Sequence, residues 1–218
     1  MMSTPTALNQ ASRKERERRQ HEEEILQAAR ELFARKGYYS TTLEEIAHHA
    51  QFGKGTIYNY FSSKEDLFYG ILNGILDKAI EVAESSIALP GSTREKLTAY
   101  AKAILSYSEA NAELFHMIVR EVVQINFLEQ SPRMGDVRNR LHKTWEVLAI
   151  PLGQDIRAGR IKPLDAIHLA AMFDNLLRMH AMQPFRELFW RGTVDADTMA
   201  DSIVSFFFEG IQQKGQSQ

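Results

Sequence analysis

Cysteine is absent from the 218-residue chain, so disulfides, thiolate metal sites and a cysteine nucleophile are excluded. That absence fits a reducing compartment, and a cytoplasmic location is the expectation. No apolar run is long enough to span a bilayer, and Met1 to Asn9 has no signal-peptide pattern. Alternation of apolar and polar residues at period two is missing, which argues against strands. Internal repeats are missing too. There is no P-loop, no Gly-rich dinucleotide fingerprint and no G-x-S-x-G. Excess charge is also missing: the formal net charge is −2, which argues against a general coat for nucleic acid.

Metal chemistry finds little support. Glu113-Leu114-Phe115-His116 is a single ExxH element, whereas di-iron helical bundles use two, with two further Glu. His48 and His49 are adjacent, so one helix sends them to different faces. A helical-bundle metalloenzyme is therefore the rival reading, and no metal, cofactor or catalytic residue is expected. Stoichiometric iron or manganese in the purified protein would revive it.

What is present is helical patterning. The chain is 44% hydrophobic and 25% charged, which suits one or two globular domains with a substantial core. Charge is uneven: residues 1–64 carry 10 Lys/Arg against 8 Asp/Glu, leaving the remainder net negative. A site-specific DNA binder needs only a local basic face, so this distribution permits such a role.

The chain is organised around Thr41 to Asp66, TTLEEIAHHAQFGKGTIYNYFSSKED. Thr42 with Glu45 forms a capping box, and Leu43, Ile46 and Ala47 give the short helix one apolar face. Gln51-Phe52-Gly53 breaks that pattern. A second helix is expected from Lys54 through Tyr60, and Ser62 with Glu65 suggests the cap of a third. Two short helices joined by a tight turn, the second polar and aromatic, is the layout of a helix-turn-helix.

These residues resemble the DNA-binding domain of the TetR family of bacterial transcription regulators. The likeness rests on Gly37-Tyr38, Thr41 to Ala47, Lys54 to Tyr58, Tyr60-Phe61 and Ser63 to Leu67, in fixed register. It covers roughly the first third of the chain. The helical patterning without strand-like alternation gives an all-α fold of about nine helices, a layout that matches the family. An N-terminal three-helix helix-turn-helix domain would be followed by a helical bundle for dimerisation and small-molecule sensing. The expected divisions are 1–18, a disordered or basic arm; 19–80, the DNA-binding domain with its motif at about 42–61; and 81–218, the effector and dimer domain. The family usually has Gly where Gln51 stands, Ser or Thr where Gly53 stands, and often His where Asn59 stands. Gln51 is accordingly expected in a left-handed turn, and Gly53 as a serviceable N-cap.

Taken in order, Met1 to Ser12 is polar and aperiodic, and a disordered tail is expected there. Arg13 to Arg19 is either the solvated start of a helix or a basic arm for the minor groove. Ile25, Ala28, Ala29, Leu32 and Phe33 form a stripe ended by Gly37. A long helix follows from Leu67 to before Pro90-Gly91. Ser92 with Glu95 caps the next, and another is expected from about Ala110 to Leu128. Ser131-Pro132 opens a helix to about Ala158, with Pro151 inside it and Gly159 as its stop. Pro163 starts another helix, bent or broken near Pro184. After a break at Gly192, Asp195 or Asp197 caps the last.

A helix entering the major groove must expose short or planar donors and acceptors. Lys54 and Lys64 suit phosphates, and Thr42 offers a hydroxyl beside its helix end to another. Gly55 permits close backbone approach, and Thr56 suits a thymine methyl or a phosphate. Asn59 matches the two edges of adenine. The resemblance implies backbone contact for Tyr58 and mixed roles for Tyr60. Ile57 and Phe61 are assigned to the small core.

One head makes few contacts, so a homodimer on a near-palindromic operator is expected, its heads about 34–36 Å apart or a multiple of that. Phe206, Phe207 and Phe208 are the interface candidates. They cannot all face one core, and packing within the monomer explains two of them equally well. For an effector pocket the candidates are Phe115, His116, Trp145, Phe173 and His180, with Met117, Met179 and Met182 nearby in sequence. Ordinary core packing is the alternative for each. The functional expectation is a ligand-responsive repressor. An activator or an architectural DNA-binding protein of the same family is equally compatible with these residues.

Overall fold

The structure, a computed structural model, describes residues 5–124, 133–181 and 194–211. Its described elements are all helices: α1 (Pro5–Lys36), α2 (Leu43–His49), α3 (Lys54–Tyr60), α4 (Lys64–Ala88), α5 (Thr93–Ala110), α6 (Ala112–Gln124), α7 (Met134–Arg157), α8 (Ala166–Ala181) and α9 (Ala196–Ile211). The expected all-α class and helix number hold among the described residues. Two compact units divide the chain, Met1–Ile71 and Leu72–Gln218. The division falls inside α4, ahead of the boundary at residues 80 and 81 that the sequence suggested.

In the first unit, Ile25, Ala29 and Phe33 of α1 are fully buried together with Ile46, Ile57 and Leu67. Burial of each of these Ile, Leu and Phe side chains contributes on the order of 1.5–3 kcal/mol. α1 ends at Gly37, whose φ of 86° is open to glycine at little cost. Residues 5–12, expected as a disordered tail, lie within α1, and Arg13 to Arg19 takes the helical one of its two readings. The alternation of Arg and Glu there supports that continuation: Arg13 pairs with Glu17 at 2.8 Å and Arg19 with Glu15 at 3.5 Å, both one helical turn apart.

Helix starts follow local chemistry. The Thr42–Glu45 and Ser92–Glu95 capping boxes both form as the sequence indicates. At α4 the box is displaced by one residue. The Ser63 hydroxyl accepts from the Asp66 amide at 3.1 Å, and the Asp66 carboxylate accepts from the Ser62 amide at 2.9 Å. Two adjacent serines before two adjacent carboxylates allow either register, and the helix takes the one that starts at Lys64. α8 starts later than Pro163, because Asp165 accepts from the His168 amide at 2.8 Å and so caps it. Asp195 plays that part for α9, accepting from the Thr198 amide at 2.9 Å. α7 contains Pro151 and stops at Gly159, with the Arg160 amide bonded back to Asp155 at 3.0 Å. Ile125, Leu128, Ser131-Pro132, Met182, Pro184 and Gly192 lie outside the described residues.

The second unit is a bundle in which α8 packs chiefly on α7 and α9 on α5. Its core joins Leu97, Tyr100, Leu148, Leu152, Phe173 and Leu177 with Phe207 and Phe208 of α9.

Candidate nucleic-acid interface and ligand cavity

The turn between α2 and α3 is built on a strained residue. Gln51 has φ 60°, the left-handed conformation expected of it, which costs roughly 1–2 kcal/mol for a side-chain-bearing residue. The conformation lets the Phe52 amide reach back to the Ala47 carbonyl at 2.9 Å. Gly53 then caps α3 through its backbone alone, with φ −66° and no side-chain bond.

α3 has a buried side and an open one. Ile57 is wholly buried and Phe61 nearly so, as assigned. Lys54, Gly55, Tyr58 and Asn59 are exposed, and Thr56 is half-buried. A Cβ placed on Gly55 would meet nothing within 4 Å, so no packing inside the chain requires glycine there. Lys54 sits in an ion pair with Glu44 of α2, both side chains more than half exposed. Its ammonium is held above the ordinary lysine range by the hydrogen bond and charge of Glu44, and the Glu44 carboxyl is correspondingly lowered.

Two proposed contacts are differently employed. Lys64 Nζ donates to the carbonyls of Tyr38 at 2.7 Å and Thr41 at 2.9 Å, with Tyr39 at 3.3 Å. It also lies 4.5 Å from the centre of the Tyr38 ring. Its three donors brace the turn between α1 and α2, so the phosphate role is withdrawn. The Tyr60 hydroxyl shares a 3.1 Å hydrogen bond with His21 Nδ1, and His21 packs edge-on to Phe52 at 5.0 Å. Tyr60 thus ties α3 to α1. The sequence reading passed over His21, whose only signal is its place in a charged stretch of α1. Thr42 is exposed, its hydroxyl engaged by the Glu45 amide at 3.2 Å.

In the second unit the proposed pocket residues do not converge on one site. Phe115 lines a small apolar cavity of about 80 Å³ with Leu72, Ile75, Leu76, Ile104 and Tyr107. Phe173 is fully buried against Phe207, ring centres 5.0 Å apart, and belongs to the core. His180 Nδ1 is bonded to the Leu176 carbonyl at 2.8 Å, Met117 is core, and Met179 is 54% exposed. His116 Nε2 is buried without a partner.

Trp145 leads instead to a feature the sequence reading missed. Its Nε1 donates to Asp174 Oδ2 at 2.9 Å, Tyr100 donates its hydroxyl to Asp174 Oδ1 at 2.7 Å, and Arg178 Nε donates to Oδ2 at 2.7 Å. Asp174 is completely buried, and the three donors bring α5, α7 and α8 together on it. Burial pushes the Tyr100 phenol well up, and the neighbouring carboxylate adds to the effect. Burial opposes the charge on Arg178, but Asp174 outweighs it and the guanidinium's pKa is raised. Arg178 Nη2 remains buried with no partner, and the residue lines the cavity. Such an orphan donor costs about 1–3 kcal/mol. The available signal was an aspartate in the apolar stripe Ala170, Phe173, Leu177, Ala181, with arginine four residues on.

Three phenylalanines divide as geometry demands. Phe207 and Phe208 are core residues, which corrects their assignment to an interface, and Phe208 is also covered by the Arg94 guanidinium at 4.7 Å. Phe206 is 72% exposed. Among the described residues there is no cluster of three or more metal-ligating side chains and no helix long and apolar enough to cross a membrane.

Residues 25–70 match the family model for bacterial regulatory proteins of the tetR family. The HTH-type transcriptional regulator YhgD of Bacillus subtilis is 30% identical over 169 residues, covering 69% of this chain and 81% of that one. The HTH-type transcriptional repressor KstR2 of Rhodococcus jostii is 26% identical over 188 residues, 86% of this chain and 89% of its own. In fold, the chain is similar to the regulator FadR of Bacillus subtilis solved with stearoyl-CoA, with a TM-score of 0.70 and 23% identity over 87% of this chain and 98% of that one. The match across the helix-turn-helix and the relationship over most of YhgD have one consequence: this chain belongs to the TetR family of DNA-binding transcriptional regulators, not to a class of enzymes.

Proposed function

We propose that the protein is a ligand-responsive repressor that binds a near-palindromic operator as a homodimer. The observation that carries the DNA-reading part is the open side of α3, where Lys54, Gly55, Tyr58 and Asn59 stand exposed opposite buried Ile57. Thr56 and Thr42 complete the face. Lys54 exchanges Glu44 for a phosphate, and Asn59 reads a base edge, adenine being its best partner. Repression follows from occupancy of a promoter, and KstR2 of Rhodococcus jostii bears the name of a repressor.

Dimerisation uses the exposed sides of α8 and α9. Met172 and Met179 lie two turns apart on α8, 61% and 54% exposed, and Phe206 on α9 is 72% exposed. Apolar groups this open on adjoining helices suit an isologous contact. The apolar cavity of the second unit is the effector site, and the stearoyl-CoA bound by FadR of Bacillus subtilis supports an apolar ligand class. Ligand and DNA then weaken each other by the same factor, as linkage requires.

Selection of bound duplexes from a random pool tests the site-specific and dimeric parts of this reading. Enrichment of a near-palindrome is expected. An unenriched pool at low and moderate salt would remove site-specific binding, and enrichment of a single half-site would remove the dimer.

A further inference from the structure

Among the described residues lining the cavity, Arg178 alone is charged. Its Nε is committed to Asp174 at 2.7 Å, yet its Nη2 is buried and unpartnered. The side chain is 21% exposed, as suits a group at the wall of a cavity. The free donor and the apolar lining together describe half of a recognition site, lacking only an acceptor.

Charge decides what kind of acceptor. Asp174 is fully buried and already neutralises Arg178, while Tyr100 and Trp145 also donate to it at 2.7 and 2.9 Å. A carboxylate brought to Nη2 would make this enclosed group net negative in low-dielectric surroundings, which is strongly disfavoured. A pure hydrocarbon would leave the donor unsatisfied. A ketone, ester or thioester oxygen accepts the bond and adds no charge.

We infer that the effector is an apolar molecule bearing an uncharged carbonyl oxygen, which accepts a hydrogen bond from Arg178 Nη2. The inference rests on the cavity being the effector site. Asp174 is a positioning residue for the guanidinium, held in turn by Tyr100 and Trp145. A volume of about 80 Å³ accommodates the carbonyl and a few carbons, since a cavity near 150 Å³ takes benzene.

The test uses the purified full chain and three four-heavy-atom probes of similar shape: propanone, acetate and 2-methylpropane. Binding is followed by the indole N–H resonance of Trp145, assigned with Trp145→Phe. Propanone is expected to bind about tenfold more tightly than either other probe, the worth of one recovered hydrogen bond. In the paired variant Asp174→Asn/Arg178→Met, which removes both charges together, its advantage over 2-methylpropane should fall to about one. If that variant does not fold, the ranking on the wild-type chain decides alone. Equal binding of 2-methylpropane and the ketone, or tighter binding of acetate, overturns the inference while leaving the cavity as a ligand site. If none of the probes binds, the effector reading of the cavity falls, and the inference with it.

Discussion

In the unit ending at Ile71, charged side chains stand in solvent and pair across neighbouring helices. In the unit beginning at Leu72, a carboxylate and a guanidinium have been taken into the bundle. Lys36–Glu45 and Lys54–Glu44 each keep more than a third of both side chains exposed, whereas Asp174 keeps none. Exposed pairs are weak and exchangeable. The buried pair is supported by the further hydrogen bonds that the Asp174 carboxylate accepts from Tyr100 and Trp145, and removing one partner leaves a stranded charge. The first arrangement suits the proposed exchange of internal partners for phosphates. The second suits the proposed discrimination of one ligand chemistry from another.

That contrast breaks first at Asp174. Replacing it by Ala strands Arg178 and leaves the Tyr100 and Trp145 donors without their acceptor. A loss of about 3–5 kcal/mol is expected from urea unfolding. A loss too small to shift the midpoint would show that the buried pair is no different from the exposed ones.

On the DNA-reading surface the effects are smaller and take two forms. Asn59→Ala should cost roughly 1–3 kcal/mol at one operator position and relax the preference there. Lys54→Ala should weaken all duplexes alike and lower the salt slope by about one per head. Parallel titrations of specific and scrambled duplexes separate the two, and identical behaviour would erase the division between reading and positioning.

The turn and the open glycine come next. Gln51→Gly relieves the left-handed strain and should raise stability by about 1 kcal/mol. Gly55→Ala should raise it by up to about 1 kcal/mol through helix propensity, because its Cβ has open space. The same methyl should weaken operator binding by standing between backbone and DNA. Stabilisation without loss of binding would remove Gly55 from the interface.

The finest distinction concerns acid. Glu44 and Glu45 are lowered from 4.5, chiefly by their hydrogen bonds to Lys54 and Lys36. A carboxyl lowered in the folded state binds protons more weakly there than when unfolded. Its stabilisation is therefore complete above about 4.5 and is lost as pH falls through the depressed value. Glu44→Gln should flatten this acid limb slightly in a pH series of urea midpoints. It should also strengthen DNA binding at neutral pH by freeing Lys54. Weaker binding would mean that Glu44 positions Lys54 and does not compete for it.

How much of this was legible beforehand depended on sequence distance. The Thr42–Glu45 and Ser92–Glu95 boxes and the stop at Gly159 each involve groups within a few residues, where backbone geometry leaves few choices, whereas the left-handed Gln51 was legible through the family's usual glycine at that place. Periodicity likewise placed Ile57 and Phe61 in the core. The intramolecular partners of Lys64 and Tyr60 were not legible because they lie 26 and 39 residues away. A lysine or a tyrosine beside a helix-turn-helix has the same composition whether it meets phosphate or its own chain.

The sequence by itself determined the helical class, the DNA-reading motif and most helix ends, because these rest on local hydrogen bonds and on the 3.6-residue period. Only the tertiary structure decided which of Phe206, Phe207 and Phe208 faces outward, since that depends on how α9 rotates against α5 and α8. It alone brought Tyr100 of α5 and Trp145 of α7 to Asp174 of α8. Side chains separated by up to 74 residues acquire a common chemistry only when packing sets them within hydrogen-bond reach.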